Sequence, residues 1–316
     1  MDMVASQVPT FGRIFIVKNT TDSADPNYAK LDEVFKTDTE GVVRVFTDLK
    51  TAYDATTTNN NDVILLDAHT SHKVSAMLTV SKNRVHFIGM DGGGRLGNQR
   101  TLISNTSTGA ATDTAMVKIT GTGVTFRNIK FANNWTVAQN VYAVDFSGAN
   151  GYFENCTIQN LGSAHLTNVL AASLHLTADD VEFKNCTIGT DTLKSTVAAA
   201  QVVLMDGAST RATFTDCLFR VFSSQTTVTL FSLAGNGSNN LQLFRNCIFA
   251  NRVNGGATAA VAVKSDGTTA GDVLFHYCTA SGVTDFATAA VGNTGMFING
   301  TSPTAGTCGI AVQPTA

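Results

Sequence analysis

Two adjacent carboxylates, Asp179 and Asp180, six histidines and one glycine run are the side chains from which acid–base or phosphate chemistry could be built in this chain. Carboxylates and imidazoles move protons when a partner holds them at hydrogen-bond distance, so their companions decide what they can do. Asp179 and Asp180 lie in LTADDVEF with no basic residue or histidine in the same motif, which reads as a solvated turn. His165 and His175 sit in AHLTN and LHL, His86 in RVHFIG, His276 at an outward strand position, and His69 and His72 in a loop. None has a nucleophile or a carboxylate at a spacing that suggests assembly. The run DGGGRLGNQR, from Asp91 to Arg100, lacks the Lys-Ser/Thr ending and following helix of a phosphate loop, and reads as a glycine corner. No catalytic, cofactor or metal site is expected from these residues.

The cysteines form a pattern of their own. Cys156, Cys186, Cys217, Cys247 and Cys278 recur about one repeat apart, whereas a tetrahedral metal site takes paired ligands from a tight knuckle. Side chains stacked on adjacent parallel strands stand about 4.8 Å apart without converging, and a disulfide needs its Cβ atoms at about 3.5–4.5 Å. The column is expected to be reduced, inward thiols serving as small apolar core residues.

What would position these groups is a repeat. VTFRNIKF, GYFENCTI, VEFKNCTI, ATFTDCLF, QLFRNCIF and VLFHYCTA align on Phe126, Phe153, Phe183, Phe214, Phe244 and Phe275, giving a period near 30 residues. Such a period marks a solenoid in which each rung buries its apolar face against the next. The alternation within each phrase is that of strands. Asn128, Asn155, Asn185, Asp216 and Asn246 stand at one turn, where short polar side chains tolerate left-handed backbone, and Tyr277 breaks the series. Upstream apolar stretches such as MVKITGTG and YAVDFSGAN supply at least a second strand per coil. The expected fold is all-β: a right-handed, single-stranded parallel β-helix of about 30 residues per coil with a small N-terminal α/β cap. Residues 1–60 are read as arm and cap, 61–285 as β-helix and 286–316 as a C-terminal cap or tail.

In the cap, FGRIFIV reads as a strand and PNYAKLDEVF as a short helix. A second helix in TDLKTAYDATT takes Thr47 as its N-cap and closes the open end of the solenoid. A formal charge of −3 and no basic cluster argue against nucleic acid as a partner. The start lacks a signal-peptide pattern and no stretch is long and apolar enough to span a membrane, so a protein made in a cytoplasm is expected. The outward residues Leu218, Leu243, Ile248 and Leu274 replace polar ones in the later coils, and are expected to form a partner interface.

The run from Val45 to Gly94, VFTDLKTAYDATTTNNNDVILLDAHTSHKVSAMLTVSKNRVHFIGMDGGG, together with the phrases from Val124 to Ala280, resembles pectate-lyase-like β-helix proteins. The similarity covers roughly residues 42–280. The Asn-Thr-Asp, Gly-His-Gly and Arg-x-Lys signatures of polygalacturonase-type enzymes are absent. The opening GRIFIVKNTTDSADPNYAKLDEVF, joined directly to the capping helix, resembles β-helix proteins encoded among the virion genes of tailed phages. That resemblance implies a non-enzymatic structural protein of the virion, a decoration or cement protein on or beside the capsid. Its implied partners are copies of itself, as a homotrimer, and the major capsid protein or another virion protein. The alternative is a tailspike depolymerase acting on a surface polysaccharide. A bacterial surface adhesin is disfavoured by the missing secretion signal.

Overall fold

The computed structural model describes residues 12–18, 36–38, 41–68, 71–91, 101–106, 110, 112–207, 211–234, 241–265, 272–287 and 295–298. Three parallel sheets of 11, 8 and 8 strands run along the chain. One coil illustrates the path. Thr125–Arg127 lies in sheet 1, Asn128 turns the corner, Lys130–Asn133 lies in sheet 2, and Tyr142–Phe146 lies in sheet 3 before the chain re-enters sheet 1 at Tyr152. A coil thus has three strands, one more than the minimum read from the phrases, because each phrase bends at its Asn and contributes two.

Every phrase pairs in register with the next, so identical positions stack. Phe126 aligns with Phe153, Phe153 with Phe183, and so on to Phe275. Phe87 precedes them, and successive rings from Phe87 to Phe275 stack at 4.7–5.1 Å, all essentially without solvent contact. Burying a column of aromatic rings contributes both area and ring–ring attraction. It is the axis of one continuous core.

Asn128, Asn155, Asn185, Asp216 and Asn246 all have φ between 52° and 58°. Their amides also bond along the stack, Asn155 Nδ2 donating to Asn128 Oδ1 at 3.1 Å and Asn185 Nδ2 to Asn155 Oδ1. Tyr277 interrupts the side-chain series but keeps the conformation, at φ 53° with its ring exposed. A bulky residue held there costs on the order of 1 kcal/mol relative to Asn. Tyr277→Asn is therefore expected to stabilise the chain by about 0.5–1 kcal/mol in denaturant unfolding.

At the N-terminal end, Ile14–Val17 pairs in parallel with Asp62–Leu66 and with Val45–Phe46, so sheet 1 runs on through the cap without a break. Helix α1, Leu49–Ala55, turns Leu49, Ala52 and Tyr53 into the core. Its N-cap is Asp48 rather than Thr47: the Asp48 carboxylate accepts from Thr51 N at 2.8 Å, a reach a residue one position earlier lacks. Lys82 Nζ donates to the carbonyls of Tyr53, Asp54 and Thr56 at the other end, at 2.6–3.0 Å. The expected helix at PNYAKLDEVF, the glycine run at residues 92–100, His69 and most of residues 286–316 lie outside the described residues.

A second ladder closes the turn between sheets 2 and 3. Asn105, Asn133 and Asn160 end successive strands of sheet 2 with buried side chains. Asn105 Nδ2 donates to Asn133 Oδ1, and Asn133 Nδ2 to Asn160 Oδ1, both at 3.2 Å. Asn160 Nδ2 also donates to the Val141 and Ala172 carbonyls at 2.7 and 3.1 Å. These amides satisfy backbone oxygens that the turn would otherwise leave unpaired. The short helix α2, Ser163–Thr167, follows this turn in one coil.

Candidate functional site

The outward face of sheet 3 brings together residues that the chain separates by a full coil. In register, Lys118 lies beside Asp145, and Asp145 beside His175. Leu174 and Leu176, flanking His175, are fully buried, so the imidazole between them points out. Asp206 follows the next strand, Gln201–Met205, and reaches back. His175 Nδ1 is 2.8 Å from Asp145 Oδ1 and His175 Nε2 is 2.8 Å from Asp206 Oδ1. Lys118 Nζ stands 3.8 Å from Asp145.

The geometry sets the protonation state. A neutral imidazole can donate from one nitrogen only, so two short bonds to carboxylates require the imidazolium. Burial opposes that charge and is the largest single influence, but the hydrogen bonds and charges of Asp145 and Asp206 together outweigh it and raise the His175 pKa to about 9. Tyr142 stacks on the imidazole, with ring centroids 4.4 Å apart. Burial, and then Asp206 and Asp145, push its phenol up to about 12. Tyr142 is in turn held against Val141, Ala164 of α2 and Ala171. The Asp145 side chain is 11 % exposed, whereas that of Asp206 is 37 % exposed. One carboxylate thus fixes the ring and the other is open to a ligand.

This cluster corrects the expectation that no histidine meets a carboxylate. His175 lies 30 residues after Asp145 and 31 before Asp206, which is one coil each way. A search within single motifs passes over a partner one period away. Aligning the upstream stretches of the repeat would have placed Lys118, Asp145 and His175 in one column.

The other candidates are placed differently. Asp179 and Asp180 lie in an exposed turn, yet they do have a basic companion: Arg211, one coil on, meets them at 3.2 and 2.7 Å. Asp180 has φ 55°, as has Asn150 one coil earlier, so its short polar side chain suits a backbone requirement. His72 is buried, with Nε2 3.0 Å from the Asp67 carbonyl and 3.2 Å from its carboxylate Oδ1, a second histidine–carboxylate contact and one between residues close in the chain. Burial lowers the pKa of His86 and of His165. Exposed His276 leans on Tyr277.

Cys156, Cys186, Cys217 and Cys247 are free and buried, and Cys278 is free and partly exposed. Each sulfur lies 3.4–3.6 Å from the backbone carbonyl of a phenylalanine in an earlier coil. Burial pushes the Cys186, Cys217 and Cys247 thiols up, with a neighbouring thiol adding to the effect, while for Cys278 the bond to Cys247 is the larger cause. Leu218 pairs with Ile248 in sheet 2 and Leu243 with Leu274 in sheet 1, all four half-exposed. They flank the Asp216–Asn246 corner on two sheets rather than forming one face.

Arg127, Glu154 and Lys184 stack on sheet 1 with N–O distances of 3.3 and 3.6 Å. With Asn128, Tyr152 and Asn155 they line a depression of about 340 Å³. Among the described residues no three histidine, cysteine or acidic side chains are grouped to hold a metal, and no helix is long and apolar enough to cross a membrane.

Three stacked parallel sheets about one core define a parallel β-solenoid. Residues 64–228, just over half of the chain, match the family described as right handed beta helix region. The chain belongs to that family. No curated protein matches it in sequence. Among solved structures it is similar to pectate lyase Pel9A, with a TM-score of 0.58 and 10 % identity over 93 % of this chain and 69 % of that one. It is also similar to the pectin methylesterase PemA from Erwinia chrysanthemi, at 0.48 and 11 % over 93 % and 92 %. ORF18 of Geobacillus virus E2 scores 0.47 at 12 % identity, covering 86 % of this chain and 62 % of that one. Identities this low show the fold alone. The expectation of a chain without catalytic activity is corrected on its premise, that no histidine meets a carboxylate, which fails at His175; the similar fold of Pel9A is that of a pectate lyase.

Proposed function

We propose that the chain acts on a polysaccharide at the outer face of sheet 3, as a tailspike-type component of a tailed-phage particle. The observation that carries this reading is the His175 imidazolium held between Asp145 and Asp206 at 2.8 Å on either side. A solenoid face is long and rigid enough to lay a sugar chain along, and Tyr142 gives it an aromatic edge. The reaction that suits the groups is hydrolysis of a glycosidic bond. When a glycan binds, its glycosidic oxygen takes the place of Asp206 Oδ1 at His175 Nε2–H and receives that proton as the C–O bond breaks, while the displaced Asp206 takes a proton from the attacking water, whose oxygen bonds to the anomeric carbon. The proton gained by Asp206 returns to His175 across their hydrogen bond, which resets the site. Asp145, held beside Lys118, keeps the ring oriented throughout. The test is incubation with a panel of capsular polysaccharides, lipopolysaccharides and pectin. Release of reducing ends from at least one supports the reading, and inertness toward all of them overturns it.

Copies of the chain would associate as a closed trimer through the Leu218–Ile248 rung of sheet 2 and the Leu243–Leu274 rung of sheet 1, on either side of the Asp216–Asn246 corner. Leu218→Asp combined with Ile248→Asp is expected to leave the β-rich circular dichroism unchanged and to yield monomers by light scattering. Trimers of the double variant would remove that surface from the interface.

A further inference from the structure

A second polar cluster lies on sheet 2, away from the His175 face. The strand Thr187–Ser195 leaves register with its neighbour between Thr190 and Ser195. The residues between them bulge out and reach two coils along the solenoid. Lys194 Nζ donates to the Gly255 carbonyl at 3.1 Å, and Arg252 Nη1 donates to the Asp191 carbonyl at 3.1 Å. Bulges of this kind re-aim side chains and recur beside binding sites.

Beneath the bulge Phe222 is paired in register with Arg252, whose guanidinium carbon is 4.5 Å from the ring centre. Lys194 Nζ lies 5.7 Å from the same ring. Arg220 Nη1 is 3.3 Å from Asp191 Oδ1. Of the three cations, only Arg220 is paired with a carboxylate among the described residues. Lys194 and Arg252 rest on an aromatic ring and on carbonyl oxygens, which hold their heads in place and leave two positive charges without a carboxylate partner among the described residues. Lys194 and Arg252 both lie against the Phe222 ring, which suits the cluster to charge rather than to stacking on a sugar. The cluster recognises charge.

We propose that Arg220, Lys194 and Arg252 form a binding site for a phosphate group. A phosphate monoester near neutral pH carries between one and two negative charges on oxygens that suit guanidinium forks, matching those two cations. The group could be free phosphate or a phosphate carried by a glycan. Binding of inorganic phosphate and of glucose 6-phosphate, followed by phosphorus NMR, distinguishes the sources. Equal affinity assigns the site to free phosphate, and tighter binding of the sugar phosphate assigns it to a phosphorylated glycan. Lys194→Ala combined with Arg252→Ala is expected to weaken both at least tenfold with unchanged circular dichroism. Asp191→Asn, which frees Arg220 from its carboxylate, is expected to tighten both severalfold. The proposal is overturned if wild type and the double variant bind phosphate equally, if Asp191→Asn weakens binding, or if galacturonate binds as tightly as the phosphates.

Discussion

Between pH 6 and pH 8.5 the wild-type chain will lose stability progressively, and His175→Gln will remove most of that dependence. The His175 pKa in the folded chain is raised to about 9 from an ordinary 6.5. A group whose folded pKa is raised contributes its full stability below the unfolded value and loses it as pH rises through the folded one. The contribution of the Asp145–His175–Asp206 cluster is thus complete near pH 6 and is gone above about pH 9. With the ring only 15 % exposed, the effect should be on the order of 2–3 kcal/mol. The raised thiols of Cys186, Cys217 and Cys247 act in the same direction, but only above their ordinary range near 9. Urea titrations of both proteins at pH 6, 7 and 8.5 separate the two sources. Parallel curves for wild type and His175→Gln would show that the imidazolium is not held as described.

Phe183→Ala will cost about 3–5 kcal/mol, the usual range for removing a fully buried aromatic side chain. Phe183 has no solvent contact and stacks at 4.7 Å on Phe153 and at 4.9 Å on Phe214, so its loss breaks the ring column at its middle. Against the 5–15 kcal/mol stability of ordinary domains, that is a large share. In a solenoid each rung contacts only its neighbours. The coils on either side of the gap should then uncouple, and calorimetry should resolve two transitions in place of one. A single transition at the wild-type temperature would contradict the role given to the column.

The physics of a repeat explains which features are legible in the residues. Phe126 to Phe275, the Asn128 corner and the Cys156 column each recur at one position per coil, and parallel in-register pairing turns that recurrence directly into stacks. The buried amides of Asn133, Asn160 and Asn251 follow the corner residues Asn128, Asn155 and Asn246 by five positions each. That regularity is present in the sequence, yet an Asn at a strand end looks like a loop residue until the turn closes over it. Thr47 and Asp48 are both acceptable caps by composition, and only the path into α1 decides between them. The site is harder still. Asp145, His175 and Asp206 are individually unremarkable outward residues, and the Arg252–Asp191 contact spans two coils because a bulge in one strand crosses another. Neither arrangement follows from a pattern within one motif.

The most direct test of the central claim compares glycan cleavage by the wild-type chain with that by Asp206→Asn and Asp145→Asn, using the polysaccharide that the panel identifies. Loss of the exposed carboxylate should lower kcat by at least about a hundredfold with KM little changed, as expected for a group acting in the transition state. Asp145→Asn should lower kcat less and move the alkaline limb of the pH profile downward, since it withdraws one of the two partners that raise His175. Cleavage by both variants at the wild-type rate and with the wild-type pH profile would contradict the assignment of sheet 3 as the active face.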